Sequence, residues 1–493
     1  MTSRFDSIVQ QRLDKLENLR ALDITPYPNR YQRSHTTLQA IALMERNEAG
    51  LTRRDGVKVA GRIMANRAMG KSAFMDIRDG SGKIQLLFQD INLFDESKLK
   101  LFKDLDIGDI IGVKGNLLRT RTGEATVRVA DFTLLSKSLR PLPEKWHGLS
   151  DVETRYRQRY LDLIGNPESK ETFEIRSRII TAVRQFLNKK GFIEVETPVL
   201  QPSAGGALAQ PFITHHQALD QDFYLRIALE LHLKRLIVGG FDKVYEIGRT
   251  FRNEGIDIRH NPEFTMLESY EAYADYNDVM KMVEEMVSKI SRQVLDTDEV
   301  KYGDNIINFK PPWRRITLRE AIIEYSGIDF VKYPTEADLR EKMRSMKFDA
   351  ESYKNWAKLV DELLSTAVVP NLIQPTFIMD YPVSMSPLAK KKPGEDRVVE
   401  RFQPFAGGME FGNAYSELND PILQRQRFEE QMKERQGDDK EKWTIDEDFL
   451  LALEYGMPPT GGLGIGIDRL VMLLTNQPSI REVILFPQLR DKP

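Results

Sequence analysis

The chain has 493 residues, a length that predicts two or three domains. Lys and Arg total 71, Asp and Glu total 74, the net charge is −3 and the hydrophobic share is 41%, which is typical of a globular protein and excludes disorder or coiled coil along the whole chain. The absence of Cys excludes disulfides, thiolate nucleophiles and Cys-ligated metal sites, and the six His lack the spacing of a zinc site.

The first 140 residues predict a helix followed by a small β-barrel. Val9, Leu13 and Leu16 recur at helical spacing. From residue 57 the apolar side chains alternate with polar ones, which predicts short strands at 57–65, 73–78, 83–89, 110–118 and 125–135. Five such strands with one longer polar insertion favour an OB-fold barrel. Basic residues exceed acidic ones in this region, which suits contact with a polyanion, although a chance imbalance on solvated faces is the alternative.

The pattern breaks after the barrel. Pro141 and Pro143 stand close together and the stretch 155–159 is charged, so we expect a hinge over residues 141–165. From residue 166 to 493 helical and strand patterns alternate, which predicts a single α+β domain. Its helices are predicted at 175–189 and 276–295, and its strands at 192–195, 243–252, 263–272, 374–380 and 399–417.

The densest polar segment, residues 246–270, has the pattern of two strands joined by a polar loop. Alternation places Arg252 and Glu254 on one strand face, and Phe264, Glu268 and Tyr270 on a face of the returning strand. An Arg can bind phosphate bidentately, an aromatic ring can stack on a purine, and a carboxylate can accept a hydrogen bond from an amine. The segment therefore indicates a site for a nucleotide and an amino acid, the alternative being a salt-bridged surface hairpin.

A glycine-rich strand is predicted near the C-terminus. Gly462, Gly464 and Gly466 share one face of it, and a face without Cβ atoms lets a flat ligand lie against the backbone. Arg469 follows at the start of a helix, where it could reach a phosphate or a base. The spacing does not match the dinucleotide-binding fingerprint, and tight packing is the alternative explanation.

A third polar segment covers residues 407–420. Glu410 could ligate Mg²⁺ through oxygen. Asn413, Tyr415 and Glu417 alternate along the same predicted strand and could line a polar pocket for an amino acid. This pattern is not specific when it is taken alone.

Three motifs, residues 191–198, 251–265 and 464–469, occur in this order along the chain. These motifs make the chain, from the barrel to the C-terminus, resemble the class II aminoacyl-tRNA synthetases. The resemblance is specifically to the lysyl-tRNA synthetases of the bacterial and eukaryotic type. The resemblance implies an antiparallel β-sheet flanked by helices, a homodimer formed through the first motif, and an N-terminal OB-fold that binds the anticodon. The expected fold class is therefore α+β, with a five-stranded barrel and a class II catalytic domain.

The resemblance also implies an ATP site. Arg252 would hold the α-phosphate, and Phe264 and Arg469 would sandwich the adenine. Glu254 would accept a hydrogen bond from the adenine amine. Arg252 and Arg469 would be the catalytic residues, since the reaction needs neutralised charge rather than a side-chain nucleophile. The implied ATP-binding residues are Arg252, Glu254, His260, Asn261, Phe264, Glu410 and Arg469.

A lysine pocket is implied beside the ATP site. Glu230 matches the family position for the α-amino group, and Glu268 and Glu417 match carboxylates that bind the side chain. Anions far from the phosphates favour lysine, whereas an aspartate site needs cations. The implied lysine-binding residues are Gly206, Glu230, Glu268, Tyr270, Asn413, Tyr415 and Glu417.

The barrel has an implied base-reading site. Phe74 would stack on the central anticodon uridine, and Gln85 and Glu124 would form hydrogen bonds to its edge. Core packing is the alternative explanation for Phe74.

One residue departs from the family pattern. Family members usually carry a carboxylate seven residues before Glu410 as a second Mg²⁺ ligand, and this chain has Gln403 there. An amide oxygen ligates more weakly than a carboxylate, so the number of Mg²⁺ ions is left open.

The resemblance implies activation of L-lysine by ATP, with Mg²⁺, to lysyl-adenylate, followed by transfer to the 3′ end of tRNA(Lys). We expect a cytoplasmic homodimer without a membrane span, because no apolar run approaches the length of one and the N-terminus lacks a signal peptide. One alternative is a lysine-activating paralogue that modifies proteins, but such paralogues lack the barrel. Glu268 and Glu417 argue against an aspartate or asparagine enzyme. Arg252 and Arg469 argue against a catalytically impaired RNA-binding or regulatory protein. Gln403, in place of the usual carboxylate, is the one feature that keeps this alternative open.

Overall fold

The computed structural model describes residues 4–51, 56–142, 149, 151–203, 205–207, 209–353, 355–435 and 445–490. The chain divides into two compact units, Met1–Leu149 and Ser150–Pro493. The predicted hinge at 141–165 includes residues 143–148 and 150, which lie outside the described residues, and its second half is helical. Within the described ranges, no helix is long and apolar enough to cross a membrane.

The first unit is a closed five-stranded barrel with accompanying helices. Its elements are α1 (Arg4–Ala21), α2 (Thr37–Glu48), β1 (Gly56–Met69), β2 (Ser72–Arg78), β3 (Lys83–Phe88), α3 (Glu96–Asp104), β4 (Ile110–Arg119) and β5 (Ala125–Ser136). The strands close in the order β1-β2-β3-β5-β4. The prediction of a five-stranded OB-fold barrel is therefore confirmed.

The alternation seen in the sequence explains why the barrel forms. Val57, Val59 and Ile63 of β1 point inward and are buried. Helix α1 packs on the barrel core through the buried Leu19. The first unit therefore has its own hydrophobic core.

The second unit is built around one large sheet. Its helices are α4 (Val152–Arg157), α5 (Arg159–Gly165), α6 (Pro167–Lys189), α7 (Glu230–Val238), α8 (Tyr276–Leu295), α9 (Leu318–Ser326), α10 (Glu336–Ser345), α11 (Trp356–Leu363), α12 (Pro421–Arg435), α13 (Glu447–Glu454), α14 (Ile467–Leu474) and α15 (Ile480–Val483). Its strands are β6 (Ile193–Glu194), β7 (Leu200–Gln201), β8 (Ile213–His216), β9 (Gln221–Leu225), β10 (Lys243–Phe251), β11 (Glu263–Ala272), β12 (Glu299–Tyr302), β13 (Asn305–Asn308), β14 (Arg314–Thr317), β15 (Thr376–Pro382), β16 (Lys391–Lys392), β17 (Glu395–Ala406), β18 (Met409–Glu410), β19 (Gly412–Ser416) and β20 (Thr460–Gly466).

The main sheet runs in the order β14-β15-β17-β19-β20-β11-β10-β6. It is antiparallel through its centre, while the end pairs β14·β15 and β6·β10 are parallel. The strand pattern at 399–417 proves to be parts of three strands, β17, β18 and β19, because the turn at Gly407 and Gly408 takes positive φ angles of 58° and 69°.

Helices α6 and α8 cover one face of this sheet. Ile179 and Val183 of α6 and Met286 and Val287 of α8 belong to the same buried cluster as Leu463 of β20. Helix α6 begins at Pro167, earlier than the predicted 175, because proline fits the first turn of a helix. The bounds of α8 agree with the prediction. The opposite face of the central strands is left open for a site.

Candidate active site

A cavity of about 600 Å³ opens over the central strands β11, β19 and β20 of the second unit. It brings together side chains that are separated by more than two hundred positions in the sequence. Every catalytic-domain residue predicted from the sequence lines it: Gly206, Glu230, Arg252, Glu254, His260, Asn261, Phe264, Glu268, Tyr270, Gln403, Glu410, Asn413, Tyr415, Glu417 and Arg469.

The glycines of β20 form the floor of the cavity. Gly462 pairs with Tyr270 of β11 on one side and with Tyr415 of β19 on the other. A Cβ atom on Gly462 would overlap Glu417 Oε1 and would lie 2.7 Å from Tyr270 Cε1. The absence of a side chain here therefore leaves space for the neighbouring polar side chains.

Arg252 lies at the end of the hairpin formed by β10 and β11. Its Cζ is 5.2 Å from the centroid of the Phe264 ring, a cation–π distance. Its Nε donates a hydrogen bond to Ile227 O at 3.3 Å. Burial lowers the pKa of Arg252, but a guanidinium stays charged at any physiological pH. The site thus holds a fixed positive charge against an aromatic face.

Arg469 begins a hydrogen-bonded chain at the other side of the cavity. Its Nη1 donates to Glu410 O at 3.0 Å, and its Nη2 lies 3.2 Å from His260 Nε2. His260 Nδ1 lies 2.8 Å from Asp257 Oδ2. Because Arg can only donate, His260 Nε2 accepts and Nδ1 carries the proton that is donated to Asp257. These contacts fix the orientation of the His260 ring.

Asn261 is tied to backbone groups. Its Nδ2 donates to Glu263 O at 2.6 Å, and its Oδ1 accepts from Gln488 N at 3.1 Å. Asn261 therefore holds the polar loop against the C-terminal segment. Glu254 is exposed at the mouth of the cavity.

Sequence reasoning missed Asp468, a residue of the third motif that contacts the second motif and helix α6. It is buried, accepts from Arg176 Nη1 of α6 at 2.6 Å and accepts from Thr265 N of β11 at 2.7 Å. The available signal was a carboxylate beside Arg469 in an otherwise apolar helix. By these contacts Asp468 fixes the position of the backbone from which the Arg469 side chain extends.

The corner at Gln403 and Glu410 contains few candidate metal ligands. Gln403 Oε1 accepts a hydrogen bond from Tyr381 OH at 2.5 Å, and Glu410 Oε2 lies 3.8 Å from Arg469 Nη1. Asp361 lines the same cavity and was not predicted. In the described ranges, no cluster of three or more His, Cys, Asp or Glu could hold a metal ion.

Three buried carboxylates lie at the far end of the cavity. Glu268 accepts from Leu229 N and from Tyr270 OH, each at 3.1 Å. Burial and the nearby Glu230 raise the pKa of Glu268 to about 7. Burial also raises the pKa of Glu417, although Lys234 opposes this. Such a cluster is costly unless cations compensate for it.

Glu417 contacts Lys234 Nζ through its Oε2. Its Oε1 is buried and, within the part of the chain that the structure describes, has no hydrogen-bond partner. The same oxygen lies next to Gly462 and near Tyr270. A buried carboxylate oxygen without a donor fits the position of a ligand ammonium.

Asn413 and Tyr415 are held by an arginine that the sequence did not single out. Arg401 Nε donates to Asn413 Oδ1 at 2.9 Å, and Asn413 Nδ2 donates to Tyr415 OH. The guanidinium of Arg401 lies 4.4 Å from the centroid of the Tyr381 ring. The wall of the pocket is therefore a connected polar network.

Gly206 lies opposite, in a short loop. Its φ is +85°, a left-handed conformation that favours glycine. A Cβ there would come within 3.1 Å of Ala228 Cβ and 3.4 Å of Glu230 Cβ. Gly206 thus lets this loop approach the start of helix α7 at Glu230 closely.

The three residues predicted to read the anticodon lie on one side of the barrel. Phe74 of β2 is half-buried and pairs with Leu87, two positions from Gln85 on β3. Gln85 Nε2 donates to Glu124 Oε2 at 2.5 Å, and Gln85 Oε1 accepts from Thr126 Oγ1 at 2.9 Å. Phe74 and Gln85 occupy the same face of the sheet. An aromatic ring for stacking and an amide for hydrogen bonding are therefore presented on one surface.

Comparison with known proteins gave consistent results along the chain. Residues 151–490 match the family described as "tRNA synthetases class II (D, K and N)", and residues 57–135 match the family described as "OB-fold nucleic acid binding domain". A lysine–tRNA ligase of Dehalococcoides mccartyi is 59% identical over 98% of this chain and 97% of its own length. The lysine–tRNA ligase of Moorella thermoacetica is 54% identical, over 99% and 98%, and that of Clostridium novyi is 53% identical, over 99% and 95%.

Proposed function

Because the chain belongs to the class II tRNA synthetases and, within them, to the lysine–tRNA ligases, we propose that it activates L-lysine with ATP and transfers the lysyl group to the 3′ end of tRNA(Lys). The observation that carries this proposal is the cluster of Glu230, Glu268 and Glu417 next to an arginine-rich nucleotide site in one cavity. Buried anions at one end suit the ammonium groups of lysine, and cations at the other suit phosphates.

The first step joins lysine to AMP. A carboxylate oxygen of lysine attacks the α-phosphorus of ATP, a new P–O bond forms, and pyrophosphate leaves with the electron pair of the broken bond. Arg252 neutralises the charge that develops on the α-phosphate, held in place by Ile227 O and Phe264. No side-chain nucleophile is needed, since aligned reactants and fixed charges lower the barrier.

The adenine lies between Phe264 and Arg469 in this proposal. Arg469 is already oriented by Glu410 O and His260. Stacking on an aromatic ring and a guanidinium contributes about 0.5–2 kcal/mol each. Glu254, at the mouth of the cavity, accepts from the adenine amine.

Lysine is recognised through its two ammonium groups. Glu230 binds the α-ammonium, while Glu268 and Glu417 bind the side chain with Tyr270 beside them. The unused Oε1 of Glu417 supports this assignment. One charge-assisted hydrogen bond contributes about 1.5–3 kcal/mol, so two of them discriminate well against an uncharged isostere.

The donor set at the metal corner fits Mg²⁺ held mainly by Glu410. Mg²⁺ is commonly bound by one or two carboxylates together with substrate phosphates, and Glu410 is the carboxylate at this corner, with its Oε2 3.8 Å from Arg469 Nη1. Gln403 contributes at most a neutral oxygen that already accepts from Tyr381. When bound, Mg²⁺ would neutralise phosphate charge. We therefore propose one principal protein ligand at this position.

Transfer to tRNA completes the reaction. A hydroxyl at the 3′ end attacks the carbonyl carbon of lysyl-adenylate, loses its proton, and AMP departs. Phe74, Gln85 and Glu124 bind the central anticodon base in this proposal. We also propose a cytoplasmic homodimer. The region of the first motif supports it, since Ile193 within the motif and Val199 and Leu200 just after it are apolar but 51%, 38% and 45% exposed.

Charging of tRNA tests the complete proposal. Purified protein with Mg²⁺, ATP and labelled lysine should charge a tRNA(Lys) transcript and leave a tRNA(Asp) transcript uncharged. Transfer of lysine to protein instead of tRNA would contradict the proposal and favour a protein-modifying paralogue. Tight tRNA binding without charging would favour a regulatory RNA-binding protein.

A further inference from the structure

Lys234 is a buried charge that the mechanism above does not use. It lies on α7, one turn after Glu230, and its side chain is completely inaccessible to solvent. Its Nζ is 2.5 Å from Glu230 Oε1 and also contacts Glu417 Oε2. The Phe449 ring closes the other side, with its centroid 5.9 Å from Nζ. The protein therefore places an ammonium of its own between two carboxylates of the lysine pocket.

The charges of this pocket can be counted. Glu230, Glu268 and Glu417 bring three negative charges, and Lys234 brings one positive charge. With all three carboxylates ionised, the pocket therefore carries a net charge of −2. A bound lysine adds two ammonium groups, and its carboxylate faces Arg252 at the phosphate end. The pocket and the two ammonium groups are matched in charge only if Lys234 is present.

The contacts of Lys234 also leave the right atoms free. It binds Oε2 of Glu417 and leaves the buried Oε1 without a partner in the described part of the chain. It holds Glu230 by Oε1 and thereby fixes that side chain on α7. Each of these carboxylates thus has one oxygen held by Lys234 and one that is not.

We propose that Lys234 is a positioning and specificity-determining residue, an internal counter-ion that sets the pocket to two negative charges and holds Glu230 and Glu417 for the two ammonium groups of the substrate. This inference rests on the proposed function. It differs from a purely structural role because it concerns the charge of Lys234, not only its volume or its hydrogen bonds.

The physical consequence concerns protonation. The ionisable groups that face Glu417 are Lys234, Glu230, Glu268, Tyr270 and Tyr415, and Tyr415 in turn faces Arg401. Lys234 is the cation that contacts Glu417 directly, and it lowers the pKa that burial and the other carboxylates raise. Without this charge, the pKa of Glu417 rises further, so the cluster takes up a proton at a higher pH than it does with Lys234 present. A neutral carboxyl binds an ammonium more weakly, and raising the pH restores the charge.

Lys234→Met and Lys234→Gln separate charge from positioning. Met keeps the volume without polar contacts, whereas Gln can still donate to a carboxylate but carries no charge. Lysine-dependent ATP–pyrophosphate exchange gives KM for lysine, KM for ATP and kcat across the pH range from about 6.5 to about 8.5. ATP binding reports whether each variant is folded, and the Gln variant carries the test if the Met variant does not fold.

We expect both variants to raise KM for lysine at neutral pH about 10- to 100-fold, with KM for ATP and kcat changed less than about threefold. Their KM for lysine should fall with rising pH and reach its plateau at a higher pH than in the wild type. Their preference for lysine over norleucine, which lacks the side-chain ammonium, should decrease. A Gln variant with the KM and pH profile of the wild type would overturn the inference. A wild type without lysine-dependent exchange would instead overturn the proposed function.

Discussion

Glu268 is a buried carboxyl group, and burial opposes its ionisation. Its carboxylate accepts from Leu229 N and Tyr270 OH, yet burial and the nearby Glu230 raise its pKa to about 7. Desolvation therefore outweighs the two hydrogen bonds. A substrate ammonium supplies the compensation that the free pocket lacks, which links lysine binding to ionisation of Glu268.

Glu268→Gln removes this charge with little change in shape. We expect KM for lysine to rise about 10- to 100-fold because one charge-assisted hydrogen bond is lost, while KM for ATP stays the same. Glu271→Gln is the matched control, since Glu271 lies on the same strand and pairs with Lys243 at 2.6 Å. Steady-state exchange kinetics measure both. Equal effects of the two substitutions would remove Glu268 from the pocket.

The same residue predicts a pH dependence. A carboxyl with a pKa of about 7 is neutral below that pH and ionised above it, so KM for lysine should fall as the pH rises from about 6 to about 8. In Glu268→Gln the fall should be smaller. A wild-type KM that does not change over this interval would show that Glu268 does not titrate there.

Strand β20 is the element on which the pocket depends most directly. Its glycines leave the space that neighbouring strands fill with side chains, and Asp468, just after it, ties the following helix to α6 and β11. The shape of the pocket therefore depends on the missing side chain of Gly462 near one end of β20. It also depends on the buried carboxylate of Asp468 just beyond the other end.

Gly462→Ala should disturb the lysine end of the cavity. Its Cβ would overlap Glu417 Oε1, whereas the Cβ of the control Gly464→Ala would have its closest contact at 3.3 Å, with Met266 Cε. We expect a loss of lysine affinity of at least about tenfold for Gly462→Ala and a smaller change for the control. Equal lysine affinities measured by calorimetry would contradict this account of the floor.

Asp468→Ala should destabilise the fold. The substitution leaves Arg176 partly buried without its carboxylate, and breaking such a pair costs about 3–5 kcal/mol. Lys281→Ala is the control, because Lys281 forms an exposed pair with Asp278 at 3.5 Å, of a kind that contributes at most about 1 kcal/mol. Urea unfolding of the catalytic unit compares them. Similar losses of unfolding free energy would mean that Asp468 does not join the motifs energetically.

The elements differ in how far the sequence predicted them. Alternation predicted the barrel because the side chains of a strand such as β1 alternate between buried and accessible positions. It also predicted β10 and β11, although consecutive residues of both strands are buried. It did not predict Lys234, because the side chain of a helix lysine is normally solvated. Its burial depends on Glu417 arriving from a distant strand. Asp468 was missed for the same reason, since its partner Arg176 is 292 positions away in sequence. Arg401 was missed because its partner Asn413 lies on a neighbouring strand, and no spacing in the sequence links the two residues.

At the scale of the whole molecule, the chain combines a catalytic unit with a barrel that matches nucleic-acid binding domains. The barrel is not part of the cavity, and each unit has its own core. Activation of lysine should therefore depend on the second unit, whereas the choice of tRNA should depend on both.

Phe74→Ala tests this division of labour. We expect lysine-dependent pyrophosphate exchange to remain unchanged and charging of tRNA to lose about 5- to 150-fold in kcat/KM, the effect of one lost stacking contact. Leu93→Ala is the control, since Leu93 belongs to the same unit and is 83% exposed. A fall in exchange without tRNA would place the defect in folding instead.

The most direct measurement of the central claim is ATP–pyrophosphate exchange with each of the twenty amino acids, Mg²⁺ and no tRNA. The account predicts exchange with lysine and none above background with aspartate or asparagine, because Glu230, Glu268 and Glu417 fill the pocket with negative charge. Exchange with aspartate or asparagine instead of lysine, or no exchange in a folded protein that binds ATP, would contradict it.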